Sequence, residues 1–172
     1  MKQLARHVRA LGLAEGPSPQ GARAYNTRGL SRANLGQYRQ VIQDFDEAIR
    51  LDPTYAFTYY QRARSRANLG QHEPAIQDFD QSIRLDPTYA RTYYQMARSR
   101  AKLGQYEQAI QDWGEVIRLD PTNAPAYFSR GRAHQLLGNS KEAKQDREKA
   151  RGAQRDHKKA RDIRFSSSDI PH

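Results

Sequence analysis

The sequence predicts an all-α fold made of repeated helix hairpins, and three observations lead to that prediction. The first is a period of 34 residues, at which Leu-Gly-Gln and Leu-Asp-Pro recur along the chain. The second is that glycine and proline occupy fixed places in each period. The third is the helical spacing of the apolar residues between those places. Each period therefore holds two helices and two turns.

The glycines and prolines mark the helix ends. A glycine follows each first helix, where the backbone of the turn needs a positive φ. A proline preceded by Leu-Asp follows each second helix, where one helix stops and another starts. The glycines are Gly36, Gly70, Gly104 and Gly138, and the prolines are Pro53, Pro87 and Pro121.

Within the helices, the apolar and small residues predict which faces pack. In the second helix of the first period, Val41, Phe45 and Ala48 follow a spacing of four and three residues. Small residues in each first helix let the paired helices approach closely, and an aromatic residue four positions earlier fills the gap between hairpins. These residues are Gly29, Ala63, Ala97 and Gly131, with Tyr25, Tyr59, Tyr93 and Tyr127.

The repeated motif resembles that of the tetratricopeptide repeat (TPR) family in its bacterial form. The first copy reads Asn26-Thr27-Arg28-Gly29, then Leu35-Gly36-Gln37-Tyr38, Asp44-Phe45 and Leu51-Asp52-Pro53. The match covers residues 22–55, 56–89 and 90–123 in full, and 124–157 in its first half. The resemblance implies a right-handed α-solenoid of antiparallel helix hairpins, with three full repeats, a modified fourth and capping helices.

The same register predicts the domain organisation. A shift of 34 residues places Leu4 and Val8 on Tyr38 and Ile42, so residues 1–21 read as a relic capping helix and a turn. Residues 22–157 form the TPR domain. In its fourth repeat Lys144 and Arg147 replace isoleucine and phenylalanine, as a terminal cap requires. Residues 158–172 are expected to be a basic helix extension to about residue 164, followed by a disordered tail.

Composition excludes several classes of protein. The chain has no cysteine, and its five histidines are not spaced as metal ligands, so we expect no cofactor, no metal site and no enzyme activity. No apolar run is long enough to span a membrane, and a cytoplasmic location is expected, with an organelle transit signal at the N-terminus as a minor alternative. The net charge of +10 is concentrated towards the two ends.

Charged residues that recur once per repeat predict ion pairs between the two helices of a hairpin. The aspartates are Asp44, Asp78, Asp112 and Asp146, and the arginines are Arg28, Arg62 and Arg130, with Met96 interrupting the series. A second arginine series, Arg32, Arg66 and Arg100, lies one turn later beside the buried stripe, so that its guanidinium groups can reach an acid or water.

The resemblance implies that the first helices line a concave groove for an extended peptide. We call the exposed side of these helices the first-helix face. One row on it is expected to hold exposed aromatic residues, a second arginines and a third asparagine or lysine. The candidate binding residues are Asn26, Asn34, Tyr60, Arg64, Asn68, Arg91, Tyr94, Arg98, Lys102, Phe128 and Arg132.

Members of the family that dock chaperones use a carboxylate clamp. Its positions match Asn26, Leu30, Gln61, Arg91 and Gln95 in this sequence, and only Arg91 has the expected charge. Capture of a chaperone's acidic C-terminus is therefore not expected.

The leading hypothesis is a protein-interaction scaffold that binds an extended, acidic segment of a partner protein in the groove. A nucleic-acid or ribonucleoprotein component using the basic stretch 141–164 is the alternative, although that stretch is interleaved with acids. Self-assembly into a homo-oligomer through the ends or the groove is a third hypothesis.

Overall fold

The computed structural model describes residues 19–166 of the chain, and the side chains of residues 20–156. This part contains eight α-helices and no β-strand. The helices are α1 (Pro19–Asn34), α2 (Tyr38–Leu51), α3 (Ala56–Asn68), α4 (His72–Leu85), α5 (Ala90–Lys102), α6 (Tyr106–Leu119), α7 (Ala124–Leu136) and α8 (Ser140–Ser166). The described residues up to Ser99 form one compact unit, and those from Arg100 form a second.

Each first helix ends at a glycine because the turn needs a left-handed residue. Gly36 has a φ of 72°, and the three equivalent glycines lie between 76° and 79°. The amide of Gly36 donates to the carbonyl of Ala33, and that of Gln37 donates to the carbonyl of Arg32. These two bonds form a Schellman motif, which satisfies carbonyls that the helix end leaves free. The sequence prediction for these turns is confirmed.

Helices α2, α4 and α6 are each followed by an aspartate whose side chain holds the next turn. The Oδ1 atom of Asp52 accepts hydrogen bonds from the amide and the hydroxyl of Thr54, at 3.0 and 2.6 Å. Asp86 and Asp120 accept the same pair of bonds from the threonine two residues later. The hydroxyl bond lowers the pKa of Asp52, with help from the backbone bond.

The first unit is held by the apolar stripes of α2 and α4. Phe45 is buried against α1, where a Cβ added at Gly29 would lie only 2.8 Å from the Phe45 ring. Phe79 lies at the centre of a cluster with Ala63 of α3 and Met96 of α5. The predicted close approach at the small residue of the first helix is therefore confirmed at Gly29.

The second unit ends in a helix that is longer than its equivalents. A Cβ added at Gly131 of α7 would lie 3.1 Å from the Cβ of Asp146, so α7 and α8 also pack closely. Ala143 and Ala150 face this contact and are buried. Helix α8 has 27 residues, against 14 in α6, which makes it about 40 Å long at 1.5 Å per residue.

Both ends of the chain were assigned a structure from the sequence. Helix α1 begins at Pro19, so residues 19–21, expected in a turn, are helical. Helix α8 continues to Ser166, slightly past the expected end. The relic helix at residues 1–18 and the tail at 167–172 lie outside the described residues. Among the described helices, none combines the length and the apolar character needed to cross a membrane.

Candidate functional site

In the first unit, one side of each first helix is tied to the second helix by aspartate. Asp44 is 1% exposed and accepts bonds from Arg28 at 2.6 and 3.0 Å and from Arg32 at 2.8 Å. Asp78, 4% exposed, is held in the same way by Arg62 and Arg66. The predicted ion pairs are confirmed, and the second arginine series reaches the same acid.

The second unit has arginine–aspartate pairs of the same kind. Asp112 accepts bonds from Arg100 at 2.7 and 2.8 Å, and Asp146 accepts bonds from Arg130 at 2.7 and 2.8 Å. The hydrogen bond to Asp146 raises the pKa of Arg130. These arginines are fixed charges that hold hairpins together, so they contribute to the net charge without being available to a ligand.

The first-helix face of the first unit has arginines of a different kind. Arg64, Arg91 and Arg98 are exposed, and none of them makes a salt bridge with an acid in the described part of the chain. Arg64 donates to Oε1 of Gln61 at 3.0 Å, and Arg98 donates to the equivalent Gln95 at 3.1 Å. Asn34 of α1 and Asn68 of α3 are also exposed. The face therefore presents cations and amides to solvent.

Tyr60 corrects one sequence prediction. It was expected in an exposed aromatic row, but it is only 4% exposed. Its ring packs 6.2 Å from that of Phe79 and edge-on to Tyr89 at 5.3 Å, because this helix position faces the next hairpin. The guanidinium of Arg64 lies 5.6 Å from the Tyr60 ring centroid. Burial raises the pKa of the Tyr60 hydroxyl, and the nearby charges of Arg64 and Arg91 oppose that rise.

Asn26, at the equivalent position one repeat earlier, gives a second correction. It was predicted on the exposed side of its helix, but it is 8% exposed and its Oδ1 accepts a 2.9 Å hydrogen bond from the hydroxyl of Thr58. Asn26 therefore links α1 to α3. In the next repeat Tyr60 takes the place of this asparagine, and the buried hydroxyl of Thr92 has no hydrogen-bond partner within residues 20–156.

The other predicted aromatic residues differ in exposure. Tyr94 is half-buried in the first unit, whereas Phe128 in the second is 52% exposed. Lys102 and Arg132 are exposed in the second unit. The expected rows are therefore uneven: the arginines reach solvent at each position, but the aromatic residues do not.

Each unit has a cleft that sequence reasoning did not predict. In the first, Leu30, Tyr55 and Phe57 line a cavity of about 520 Å³ together with Asn26. In the second, Arg132 and Phe128 line a cavity of about 560 Å³ with two arginines of α8, Arg147 and Arg151. The sequence signal for the second cavity was present, since Arg147 stands where the earlier repeats have Phe45, Phe79 and Trp113. Over the described residues, no group of histidine and carboxylate side chains is placed to hold a metal ion.

Models of the tetratricopeptide repeat match most of the chain. They cover residues 22–55, 58–89 and 124–157, and two further models cover 79–111 and 97–138. The chain belongs to the tetratricopeptide repeat family. No curated protein sequence matches the chain.

Solved TPR structures share the fold at low sequence identity. MamA is 24% identical with a TM-score of 0.81, over 88% of this chain and 89% of MamA. YrrB, described as a TPR protein with an unusual peptide-binding site, is 19% identical with a TM-score of 0.74, over 95% of this chain and 86% of YrrB. The first TPR domain of Spaghetti (RPAP3), bound to the HSP90 peptide SRMEEVD, is 23% identical with a TM-score of 0.68, over 70% and 96%.

Within this TPR array, the positions of the chaperone clamp are only partly available. Arg91 is exposed and charged, as in the clamp. Asn26 is already bonded to Thr58, and Leu30 brings no polar group. The geometry therefore agrees with the sequence in disfavouring a chaperone-type clamp.

Proposed function

We propose that this TPR protein is a binding scaffold, not an enzyme, and that it holds an extended acidic segment of a partner protein on its first-helix face. The observation that carries the proposal is the division of its arginines into two sets. Arginines on one side of the first helices are paired with buried aspartates, as Arg62 and Arg66 are with Asp78. Arginines on the opposite side have no acid partner in the described residues.

Arg64 illustrates the second set. It lies between Arg62 and Arg66 in sequence, but two residues of helix turn it about 200° away from both. Its guanidinium rests near the Tyr60 ring and donates one bond to Gln61. The remaining donors of the fork can bind a carboxylate with two parallel hydrogen bonds. Packing on the ring restricts the side chain, so less entropy is lost when a ligand binds.

The residues around Arg64 suit an extended peptide. Arg98 occupies the same position one repeat later, and Arg91 lies close enough to Tyr60 to influence the charge of its hydroxyl. Asn34 and Asn68 have exposed amides, which can donate to and accept from a peptide backbone. In the second unit Lys102, Phe128 and Arg132 provide residues of the same chemical types. Acidic side chains at intervals, with backbone amides between them, are the chemistry that these groups recognise.

Fluorescence anisotropy with a defined probe tests the proposal. The probe is a fluorescein-labelled, 12-residue peptide of alternating glutamate and serine at physiological salt. The double variant Arg64→Ala and Arg98→Ala should bind it about tenfold or more weakly, because two charge-assisted contacts are lost. The matched control is Arg50→Ala with Arg84→Ala on the second helices, since Arg84 also donates to a glutamine three residues earlier.

The outcome decides between site-specific binding and general attraction. Equal weakening by both double variants would mean that only net charge attracts the peptide, and the proposed site would be wrong. A single-stranded RNA that binds more tightly than the peptide, with a steep salt dependence, would favour the nucleic-acid alternative. An apparent molar mass from light scattering that rises with protein concentration would favour self-assembly.

A further inference from the structure

The end of the second unit carries a surface that is distinct from the arginines of the first unit. Arg132 of α7 and Arg147 and Arg151 of α8 surround Phe128 in the cavity of about 560 Å³. The three arginines are exposed, and Phe128 is 52% exposed. Ala150 forms part of the floor and is buried. We call these residues the α8 surface.

Its origin is clear from the equivalent positions in the first unit. Arg147 and Arg151 occupy the repeat positions of Phe79 and Ile83 in α4. In α4 those two side chains pack in the apolar cluster that includes Met96 of the following helix. No described helix follows α8, and arginine stands at both positions. The surface is therefore placed where a next hairpin would dock, but its chemistry is cationic.

The charges on this surface are not balanced locally. Arg147 donates to Oε1 of Gln135, and neither Arg132 nor Arg151 forms a salt bridge with any described acid. No acid lines the cavity. The acids Glu148 and Asp156 lie on a different side of α8, where they line a separate cleft with Lys149. Helix α8 thus presents Arg147 and Arg151 on one face and mixed charges on another.

We propose that the α8 surface docks an acidic segment of a partner protein, with carboxylates that bind the three arginines and a large apolar side chain that packs on Phe128. Each guanidinium fork can take one carboxylate, and an exposed aromatic ring beside a buried alanine gives the apolar contact. This inference rests on the proposed function, because both need an acidic partner, and it deepens it: Arg147 and Arg151 of α8 join Phe128 and Arg132 in one contact.

Two other occupants fit the surface less well. A second copy that stacked its first hairpin here would bring α1, which has an exposed arginine, Arg23, and no acid. It would therefore offer no carboxylate to the three arginines. A nucleic acid would need cations along a continuous path, whereas the three arginines are grouped at one cavity and the separate cleft of α8 is lined by Glu148 and Asp156 as well as Lys149. An acidic segment with one apolar anchor matches both the charge and the size of the cavity.

Anisotropy with an 18-residue, fluorescein-labelled peptide tests the inference in the full chain. The peptide has a central phenylalanine flanked by glutamates, and a second peptide has alanine at the centre. Arg147→Glu should weaken binding of the phenylalanine peptide at least tenfold. Lys149→Glu is the matched control, since it makes the same change of charge two residues away on the other face of α8, and it should weaken binding less than twofold. Phe128→Ala should abolish the preference for phenylalanine over alanine.

Further variants separate the α8 surface from the first-helix face of the first unit. Arg64→Ala with Arg98→Ala should leave the preference for the phenylalanine peptide intact, and loss of that preference would assign it to the first unit instead. Arg147→Gln, whose circular dichroism spectrum and melting temperature check the fold, removes the charge alone and should also weaken binding. Equal effects of Arg147→Glu and Lys149→Glu would overturn the inference. The inference would also be overturned if a single-stranded RNA of equal charge displaced the peptide at a lower concentration than the unlabelled peptide does. A wild-type dimer that the peptide does not dissociate would overturn it as well.

Discussion

Two threonines at equivalent positions give the sharpest test of the packing between first helices. Thr58 is 1% exposed and donates a 2.9 Å hydrogen bond to Oδ1 of Asn26. Thr92 is 0% exposed, and its hydroxyl has no partner among the described residues. Valine has the same shape as threonine without the hydroxyl. We therefore expect Thr58→Val and Thr92→Val to change stability in opposite directions.

The magnitudes follow from what each substitution leaves behind. Thr58→Val removes the hydroxyl that donates to Oδ1 of Asn26, a residue that is only 8% exposed. Loss of this bond should lower the free energy of unfolding by about 1–2 kcal/mol. Thr92→Val removes a hydroxyl that is buried without a hydrogen bond, so the variant should be more stable than the wild type by up to about 1 kcal/mol. Both sites are in the first turn of a first helix, so the small change in helix propensity is common to both. The two variants should differ by about 2 kcal/mol.

Urea denaturation followed by circular dichroism at 222 nm measures this difference. The slope of free energy against urea should be the same in both variants, because the surface exposed on unfolding is unchanged. A difference of about 2 kcal/mol corresponds to a shift of about 4–8 °C in Tm for a chain of this size. Equal losses in the two variants would refute the reasoning, since they would mean that the Thr58 bond contributes nothing beyond packing. Asn26→Ala should remove most of the effect of Thr58→Val.

The remaining predictions concern the ion pairs, the glycines and the turns. In a urea titration, Asp78→Asn should lower the free energy of unfolding by about 2–3 kcal/mol. Asp46, the exposed partner of the same Arg62, is the control, and Asp46→Asn should lower it by less than about 1 kcal/mol. Gly70→Ala should lower Tm because the φ of Gly70 is 77°, and a Cβ there would meet no neighbouring atom that could add a steric clash. Gly152→Ala within α8 should raise Tm. Each change corresponds to about 1 kcal/mol in the free energy of unfolding. The lowered pKa of the turn carboxyls means that their stabilisation is complete above their unfolded pKa of about 3.9 and is lost as the pH falls through the folded value. In acid unfolding followed by circular dichroism, the loss of stability with falling pH should therefore be less steep in the variant with asparagine at Asp52, Asp86 and Asp120.

The repeat period was sufficient to predict the helices, the turns and the ion pairs. These features depend on residues within one hairpin, which the period places at constant separation. Asp44 and Arg28 are 16 residues apart, as are Asp78 and Arg62, and both pairs form. A contact that recurs with the repeat can be found from the sequence because the backbone geometry recurs with it.

The exposure of the first-helix residues could not be predicted in the same way. Tyr60 and Asn26 occupy one repeat position, and both are buried because that position faces the next first helix. Counting 100° per residue from the hairpin contact gives the direction of a side chain relative to its own hairpin only. Whether it reaches solvent also depends on how closely the neighbouring hairpin packs. This is set by side chains that differ between repeats, such as Phe57, whose position holds Arg23 and Arg91 in the adjacent repeats.

The α8 surface was missed for a related reason. Replacement of apolar residues by Arg147 and Lys144 was interpreted as a solvated cap, and both side chains are exposed. A cap explains why the apolar residues are absent, since their exposure would be unfavourable. It does not require arginine beside an exposed phenylalanine, and that combination becomes visible only when α7 and α8 are packed together.

The arginines as a whole show why net charge is a poor guide to what this protein binds. The charge of +10 counts every arginine equally, yet those facing Asp44 and Asp78 are bound to these carboxylates within their hairpins. Their removal should reduce stability and leave binding of a folded variant nearly unchanged. Arg64 and Arg147 have no such partner in the described residues, so their removal should weaken binding and leave stability nearly unchanged. Because helix geometry puts paired and unpaired arginines on opposite sides of the same helix, structural and functional charges can be changed independently in this chain.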